Sequence, residues 1–296
     1  MTQIKQKPTA DTEDWDIIIS ARRSLWHFPL WELRRFSDLI RILVRRDFVA
    51  VYKQTILGPL WHILQPLFMT LIFTLVFGRI IGLETDGIPA LLFYLSGIIV
   101  WNFFSESVNS IAGTFIDNQA IFGKVYFPRL VIPVAGLLFR TFKFGIQFAL
   151  LLCFYIFYIF QGHPLQPNLA LVVLLPLLLL QIALLSLGTG LIIAALTIRY
   201  RDLHNLVSFA LQLWMYATPV FYSAKQIPAK FAWLYQINPV AAIITNFRYI
   251  LFSGDNRYFT NAPLFSTLLS TIITLSILFF ALMLFNRVEH TFIDTV

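Results

Sequence analysis

The sequence predicts an all-α polytopic membrane protein with six transmembrane helices, an N-terminal amphipathic interface helix and two short re-entrant helices on the outer side before the last span. Three observations carry that prediction. The 296 residues are 58% hydrophobic and only 12% charged, whereas soluble domains carry about 25% charged residues, so the exterior must largely meet lipid. Six apolar stretches, at about 57–81, 88–111, 131–160, 169–198, 203–223 and 263–285, are long enough to cross a hydrocarbon core of ~30 Å as helices. The third observation is the uneven placement of Lys and Arg. Fifteen fall in residues 1–56, the 112–130 loop, the 199–202 turn and the tail, against four in the opposite loops: Lys225, Lys230, Arg248 and Arg257. By the positive-inside rule both termini are cytosolic.

Residues 1–30 form a cytosolic N-terminal segment, of which Met1 to Asp16 is polar, with both signs of charge and none of the apolar core of a signal peptide. Residues 31–53 follow as a basic amphipathic helix. Trp31, Leu33, Phe36, Leu39, Ile40, Leu43, Val44 and Phe48 recur at helical spacing, and Arg34, Arg35, Asp38, Arg41, Arg45 and Arg46 fill much of the remaining surface. Such a helix lies in the cytosolic interface against membrane lipid, with partner docking as an equal alternative. Residues 54–296 make one six-helix transmembrane domain. A spanning segment must satisfy its backbone groups internally, and Pro66, Pro133 and Pro176 read as kinks within spans.

Residues 224–252 depart from this regularity. Asn238-Pro239 divides an apolar stretch into Ala229–Gln236 and Val240–Phe252, each too short to span a bilayer. Broken helices persist at membrane depth where they are buried in protein or line a cavity, so the pair marks a pathway; a surface-lying outer loop is the alternative.

Several chemistries find no residues. The glycines before Lys124 are not spaced as a nucleotide-cradling loop requires, the five histidines are scattered without metal-ligand spacing, and no serine occupies a glycine-flanked nucleophile elbow. The lone Cys153 excludes an intramolecular disulfide. The net charge of +7 reflects cytosolic basic loops rather than a nucleic-acid partner. Intramembrane ionisable groups are costly and therefore candidates for function. Glu106, late in the second span, and Arg140 and Lys143, early in the third, all lie toward the cytosolic side, where they can pair or hold an anionic headgroup.

Short motifs in a fixed order then resemble a known family. Arg46-Asp47, Tyr52-Lys53, Gln54-Thr55, Leu57-Gly58-Pro59-Leu60-Trp61 and Gln65-Pro66 precede and open the first span; Phe127-Pro128-Arg129 and Ile132-Pro133 open the third. Arg199-Tyr200-Arg201-Asp202-Leu203, Leu211-Gln212, Thr218-Pro219-Val220, Tyr222, Pro228, Asn238-Pro239 and Arg248 complete the series. Together they resemble the integral-membrane permease subunit of type-2 ABC exporters, in its polysaccharide-export branch, over nearly the whole chain.

The resemblance implies a homodimer of permeases working with two nucleotide-binding ATPase subunits, which hold ATP and Mg while this chain binds no cofactor. It implies a bacterial inner-membrane location and a coupling helix within residues 114–123, where Phe115, Ile116, Asp117, Asn118, Gln119 and Phe122 contact the ATPase. The absence of an internal repeat agrees with a second copy supplying the symmetry. The implied cargo is a lipid-linked polysaccharide, O-antigen-like or capsule-like. A teichoic-acid-like polymer, a glycolipid or a drug stays open as cargo, and a secondary carrier or polytopic membrane transferase as another class. Sugars stack on aromatic faces, and Tyr94, Trp101, Trp214, Tyr216, Tyr222, Trp233 and Tyr235 are the candidates for an outer path. Singly each also fits an interfacial aromatic belt; the cluster at 214–235, beside the broken helices, rises above it.

Overall fold

The computed structural model describes residues 30–53, 56–122, 127–197, 200, 202–253 and 264–292. The expectations placed on residues 1–29 and on Arg199, Arg201 and Arg257 lie outside the described residues. Among the described residues every regular element is helical.

The basic amphipathic segment forms α1 (Leu30–Arg35) and α2 (Ser37–Tyr52). Its apolar face docks on protein: Leu43 is buried with Phe127, Val131, Ile132 and Ala135, flanked by Leu39, Ile40 and Val44. Phe48 closes the seam edge-on to Phe142 at 5.2 Å. Arg41, Arg45 and Arg46 remain exposed on the other side.

The first span runs from a 3-10 turn at Gly58–Leu60 through α3 (Trp61–Phe73) into a π-helical stretch at Thr74–Ile80. The second is α4 (Ala90–Ala112), followed by the short α5 (Thr114–Asp117) and α6 (Gln119–Phe122), then α7 (Val131–Phe160), α8 (Leu169–Val172) and α9 (Leu175–Thr197). After them come α10 (Leu203–Tyr216), α11 (Ala232–Ile237), α12 (Pro239–Phe252) and α13 (Leu264–Phe292). Among the described residues, five helical stretches are long and apolar enough to cross a membrane: Gly58–Ile80, Ala90–Ala112, Val131–Phe160, Leu175–Thr197 and Phe265–Arg287.

The stretch expected as a span at 203–223 differs. Its helix, α10, has 14 residues and rises only ~21 Å at 1.5 Å per residue. Pro219 explains the stop, because it lacks an N–H and forces the preceding residue out of helical geometry. Thr218 accordingly ends the helix in a tight turn, its hydroxyl donating to the Trp214 carbonyl at 2.8 Å while Val220 N–H donates to the Thr218 carbonyl at 2.7 Å.

Of the three prolines expected to kink spans, only Pro66 lies inside a helix. Pro133 falls in the first turn of α7, and Pro176 is the second residue of α9, just after a break at Val173-Leu174 that separates it from α8. First-turn N–H groups have no helical acceptor, so proline there removes nothing. Pro66 does leave the His62 carbonyl without its helical donor. Gln147 of α7, almost fully buried, supplies the replacement by donating its amide to that carbonyl at 3.3 Å.

Helix α4 is the hub of the bundle, packed by α3, α7, α9, α10 and α12. Hydrophobic burial gives little force between helices in lipid, so close packing through small residues takes its place. On α9 a Cβ placed at Gly190 would lie 2.6 Å from Ile111 Cβ of α4, and one at Gly188 would lie 3.0 Å from the α13 backbone at Leu278. The two glycines thus seat α9 between its neighbours.

The broken segment is resolved into α11 and α12, preceded by 3-10 turns at Ala224–Gln226 and Ala229–Phe231. Asn238 caps α12, its Oδ1 accepting from the N–H groups of Val240 at 3.1 Å and Ala241 at 3.3 Å, with Pro239 at the first helical position. This is the residue pairing a helix start favours. Nearly all of α12 is buried, and its far end is satisfied by other elements: Asn168 N–H donates to the Ile250 carbonyl at 2.9 Å and the Tyr155 hydroxyl to the Leu251 carbonyl at 3.0 Å.

Candidate functional site

Three groups of residues carry features that packing alone does not explain: the α5–α6 loop, the ion-paired patch between α4 and α7, and α10 with the turn that follows it and α12.

In the loop, Phe115 is 3% exposed, with its ring 5.4 Å from Phe285 of α13 and 5.7 Å from Phe122. Phe122 stacks in turn on Phe127 at 5.7 Å, and the Arg129 guanidinium lies 5.8 Å from the Phe122 ring and 6.0 Å from that of Phe115. The loop is therefore braced into the bundle. Of the three apolar residues expected to be presented outward, Phe115 and Phe122 face inward and Ile116 is exposed, beside exposed Asp117 and Gln119. Asn118 ties the two short helices by donating to the Thr114 carbonyl at 3.1 Å.

Glu106 and Lys143 form an ion pair at 2.6 Å, and Arg140 donates to the backbone carbonyls of Glu106 and Gly136, each at 2.9 Å. The three charges predicted on the cytosolic side thus converge between α4 and α7. Pairing and carbonyl contacts offset much of the cost of holding charge among apolar helices.

Beside this patch, α10 presents a polar stripe. Asn205, Ser208 and Gln212 recur at three- and four-residue spacing, and all are exposed. Tyr216 continues the same face at the C-terminal end and is 54% exposed. The stripe joins α4 where the Ser208 hydroxyl donates to the Asn109 side-chain carbonyl at 3.1 Å, and Asn102, Ser105 and Asn109 share one half-buried face of α4. Polar side chains on the outside of a membrane helix are costly against lipid tails and mark a water-filled cavity or a protein partner. The sequence reading missed this stripe, although its signal was present as polar residues at helical spacing within an apolar run.

The aromatic candidates separate by burial. Tyr94 and Trp101 belong to the core of the bundle, 0% and 4% exposed, and are corrected from path-lining to packing residues: α4 is central, so most of its face is covered. Tyr216, Phe221 and Tyr222 cluster at the C-terminal end of α10 with ring separations of 5.5 and 5.4 Å, and Phe77 of the π-helical stretch stacks on Phe221 at 4.9 Å. Trp233 is exposed on α11. Tyr235 shares a hydrogen bond of 2.8 Å with Thr245. Trp214 is half-buried, its indole N–H donating to Asn238 Oδ1 at 3.3 Å.

Arg248 is the residue the sequence reading placed wrongly. Counted there as an outer-loop cation, it is 4% exposed and sits where α4, α12 and the turn after α10 meet. Its guanidinium donates to Ser96 Oγ at 3.3 Å and to the carbonyls of Pro219 at 2.7 Å, Phe93 at 3.0 Å and Val220 at 2.6 Å, and lies 3.7 Å from the centre of the Phe93 ring. Carbonyl dipoles and a ring face here stand in for a carboxylate. Gly97 makes the room, since a Cβ there would fall 2.5 Å from Arg248 Nη2 and 2.7 Å from the Val220 carbonyl. Asn238 adds a second tie, donating to Thr218 Oγ1 at 2.9 Å. One cation and one amide thus fasten the turn after α10 to α4 and α12.

Membrane-length helices around a buried short helix, a polar exposed stripe and a braced loop at one end together define a membrane transport domain. Residues 38–252 match the ABC-2 type transporter family, and the chain belongs to that family. It is similar to an O-antigen export system permease protein RfbA of Klebsiella pneumoniae, 27% identical over 265 residues that cover 89% of this chain and 97% of the relative. A second Klebsiella pneumoniae protein of the same name matches to the same extent. One from Myxococcus xanthus is 29% identical over 223 residues, 75% of this chain and 83% of its own.

Proposed function

We propose that the chain is the permease subunit of an ATP-driven exporter that moves a lipid-linked polysaccharide, O-antigen-like or capsule-like, outward across the bacterial inner membrane. The observation that carries the reading is the end-to-end likeness to permeases named for O-antigen export. The polar stripe of α10, leading to Tyr216 and Tyr222, supports it: hydroxyl and amide groups suit a glycan, and aromatic faces suit its C–H surfaces. A single copy leaves that stripe open, so two copies face one another to enclose the path, and α10 with its following turn completes a sixth crossing. The α11–α12 pair dips into the outer leaflet beside it. Both termini lie in the cytosol.

ATP and Mg are bound by two separate ATPase subunits. Those subunits bear on Ile116, Asp117 and Gln119, and the push travels through Phe115 to Phe285 and the surrounding buried residues Ile111, Leu187 and Leu282. A packed chain of this kind transmits displacement because a close-packed core does not compress.

The test begins with purification from the native membrane in mild detergent. A stoichiometric ATPase subunit in the complex is the expected result; a clean homo-oligomer lacking a nucleotide-binding partner would sink the proposal. In that complex Asp117→Lys should lower glycan export about ten-fold, within the usual range of coupling energies between sites, while ATP hydrolysis continues. Unchanged export would remove the loop from the coupling role.

A further inference from the structure

An apolar cleft of about 370 Å³ opens between α7 and α9. Both helices pack along α4 but barely against each other, and the gap between them is floored by Val100 of α4 and Phe247 of α12. Phe144 and Phe148 of α7 stack in parallel at 6.0 Å along one wall; Leu178 of α9 stands in the other. The polar side chain in the lining, Thr141, donates its hydroxyl to its own helix at the Leu137 carbonyl, 3.0 Å away. Water therefore finds no set of partners there, and apolar cavities of even about 150 Å³ stay dry and accept apolar guests.

The depth of the cleft identifies the guest. Gly145, in the lining, is the fifteenth of the 30 residues of α7, so the cleft lies at mid-length of one membrane-crossing helix and beside the opening turns, Leu175 to Ile182, of another. What surrounds its mouth is hydrocarbon. Among the described residues no charged side chain lines it, so nothing there selects a headgroup and the most abundant chain in the bilayer fills it by mass action. We propose that this cleft is a binding site for one acyl chain of a bilayer phospholipid. The chain lies against Phe144 and Phe148, whose rings meet Phe247 at 6.4 and 6.0 Å, and so props α12 at the residue next to its Arg248 anchor. This inference rests on the membrane placement of the helices and not on the cargo.

Gly145 provides the test, because a Cβ built on it meets nothing within 4 Å. The intact complex is reconstituted in phosphatidylethanolamine–phosphatidylglycerol vesicles containing a phospholipid with a photoreactive group midway along one acyl chain, and labelled peptides are mapped. Labelling concentrated on residues 144–148 and 178–182 of the wild-type protein, and lost in Gly145→Leu but kept in Gly145→Ala, is the expected result. Labelling spread evenly onto outward positions such as Ile156 and Phe157 would overturn the site. Competition by a prenyl phosphate at equal concentration, but not by added phospholipid, would overturn the assignment to a phospholipid chain. The wild-type map decides even if the leucine variant does not fold, and failure of export in any variant bears on the proposed function alone.

Discussion

At the scale of single residues, the junction of α4, α12 and the turn after α10 hangs on Arg248 and Asn238. Arg248 brings one full charge into the core and spends its donors on three carbonyls and a hydroxyl. Arginine suits the task because its planar fork reaches several acceptors at once, whereas an ammonium is a point donor on a flexible stem. Arg248→Met should destabilise the protein by about 3–5 kcal/mol, the usual cost of breaking a buried charged network. Arg248→Lys should restore only part of that loss, read as thermal unfolding midpoints in detergent. Equal stability of arginine and lysine would show that charge rather than fork geometry matters. Gly97→Ala should fail in the same direction, through the 2.5 Å approach to Arg248 Nη2.

At the scale of elements, the sequence showed which segments are helices better than it showed where they stop. Long apolar runs gave five spans directly, and Asn238-Pro239 marked the start of α12 because an Asn cap followed by proline is a local signal. The shortening of α10 was equally local, written in Thr218-Pro219, but hydropathy averages over such a stop. Non-local facts escaped. Nothing near position 248 in sequence says that three carbonyls await its guanidinium, and nothing near Phe115 says that Phe285 of α13 covers it. The broken helix illustrates the cost of a buried end. Asn238→Ala removes the cap of α12 and its ties to Trp214 and Thr218 together. The cap alone is worth about 1–2 kcal/mol, so the variant should lose at least that much, and Asn238→Asp, which keeps an acceptor for the cap, should lose less. Hydrogen exchange at Val240 and Ala241 reads the effect at its origin; unchanged protection there would deny Asn238 its capping role.

At the scale of the whole molecule, two kinds of exterior are distinguishable. Helix α13 turns large apolar side chains outward, among them Leu268, Ile272 and Leu275, as a helix facing lipid should. Helix α10 exposes Leu206, Phe209 and Leu213 as well, but turns Asn205, Ser208 and Gln212 outward beside them as a polar stripe. If the second face encloses a path between two copies, water reaches it, and water decides whether a thiol ionises and reacts. The chain's one cysteine, Cys153 on α7, is exposed and is first replaced by serine. Cysteines are then placed singly at Ser208, Gln212, Leu268 and Ile272, and each protein is treated in sealed vesicles with a charged, membrane-impermeant maleimide. The α10 positions should react about ten-fold faster or more than the α13 positions, since only a hydrated thiol yields the reactive thiolate. ATPase-driven cycling should change the α10 rates and leave the α13 rates alone. Equal rates on both helices would mean that α10 faces lipid like its neighbours, and the polar stripe would then need a dry protein partner rather than a path.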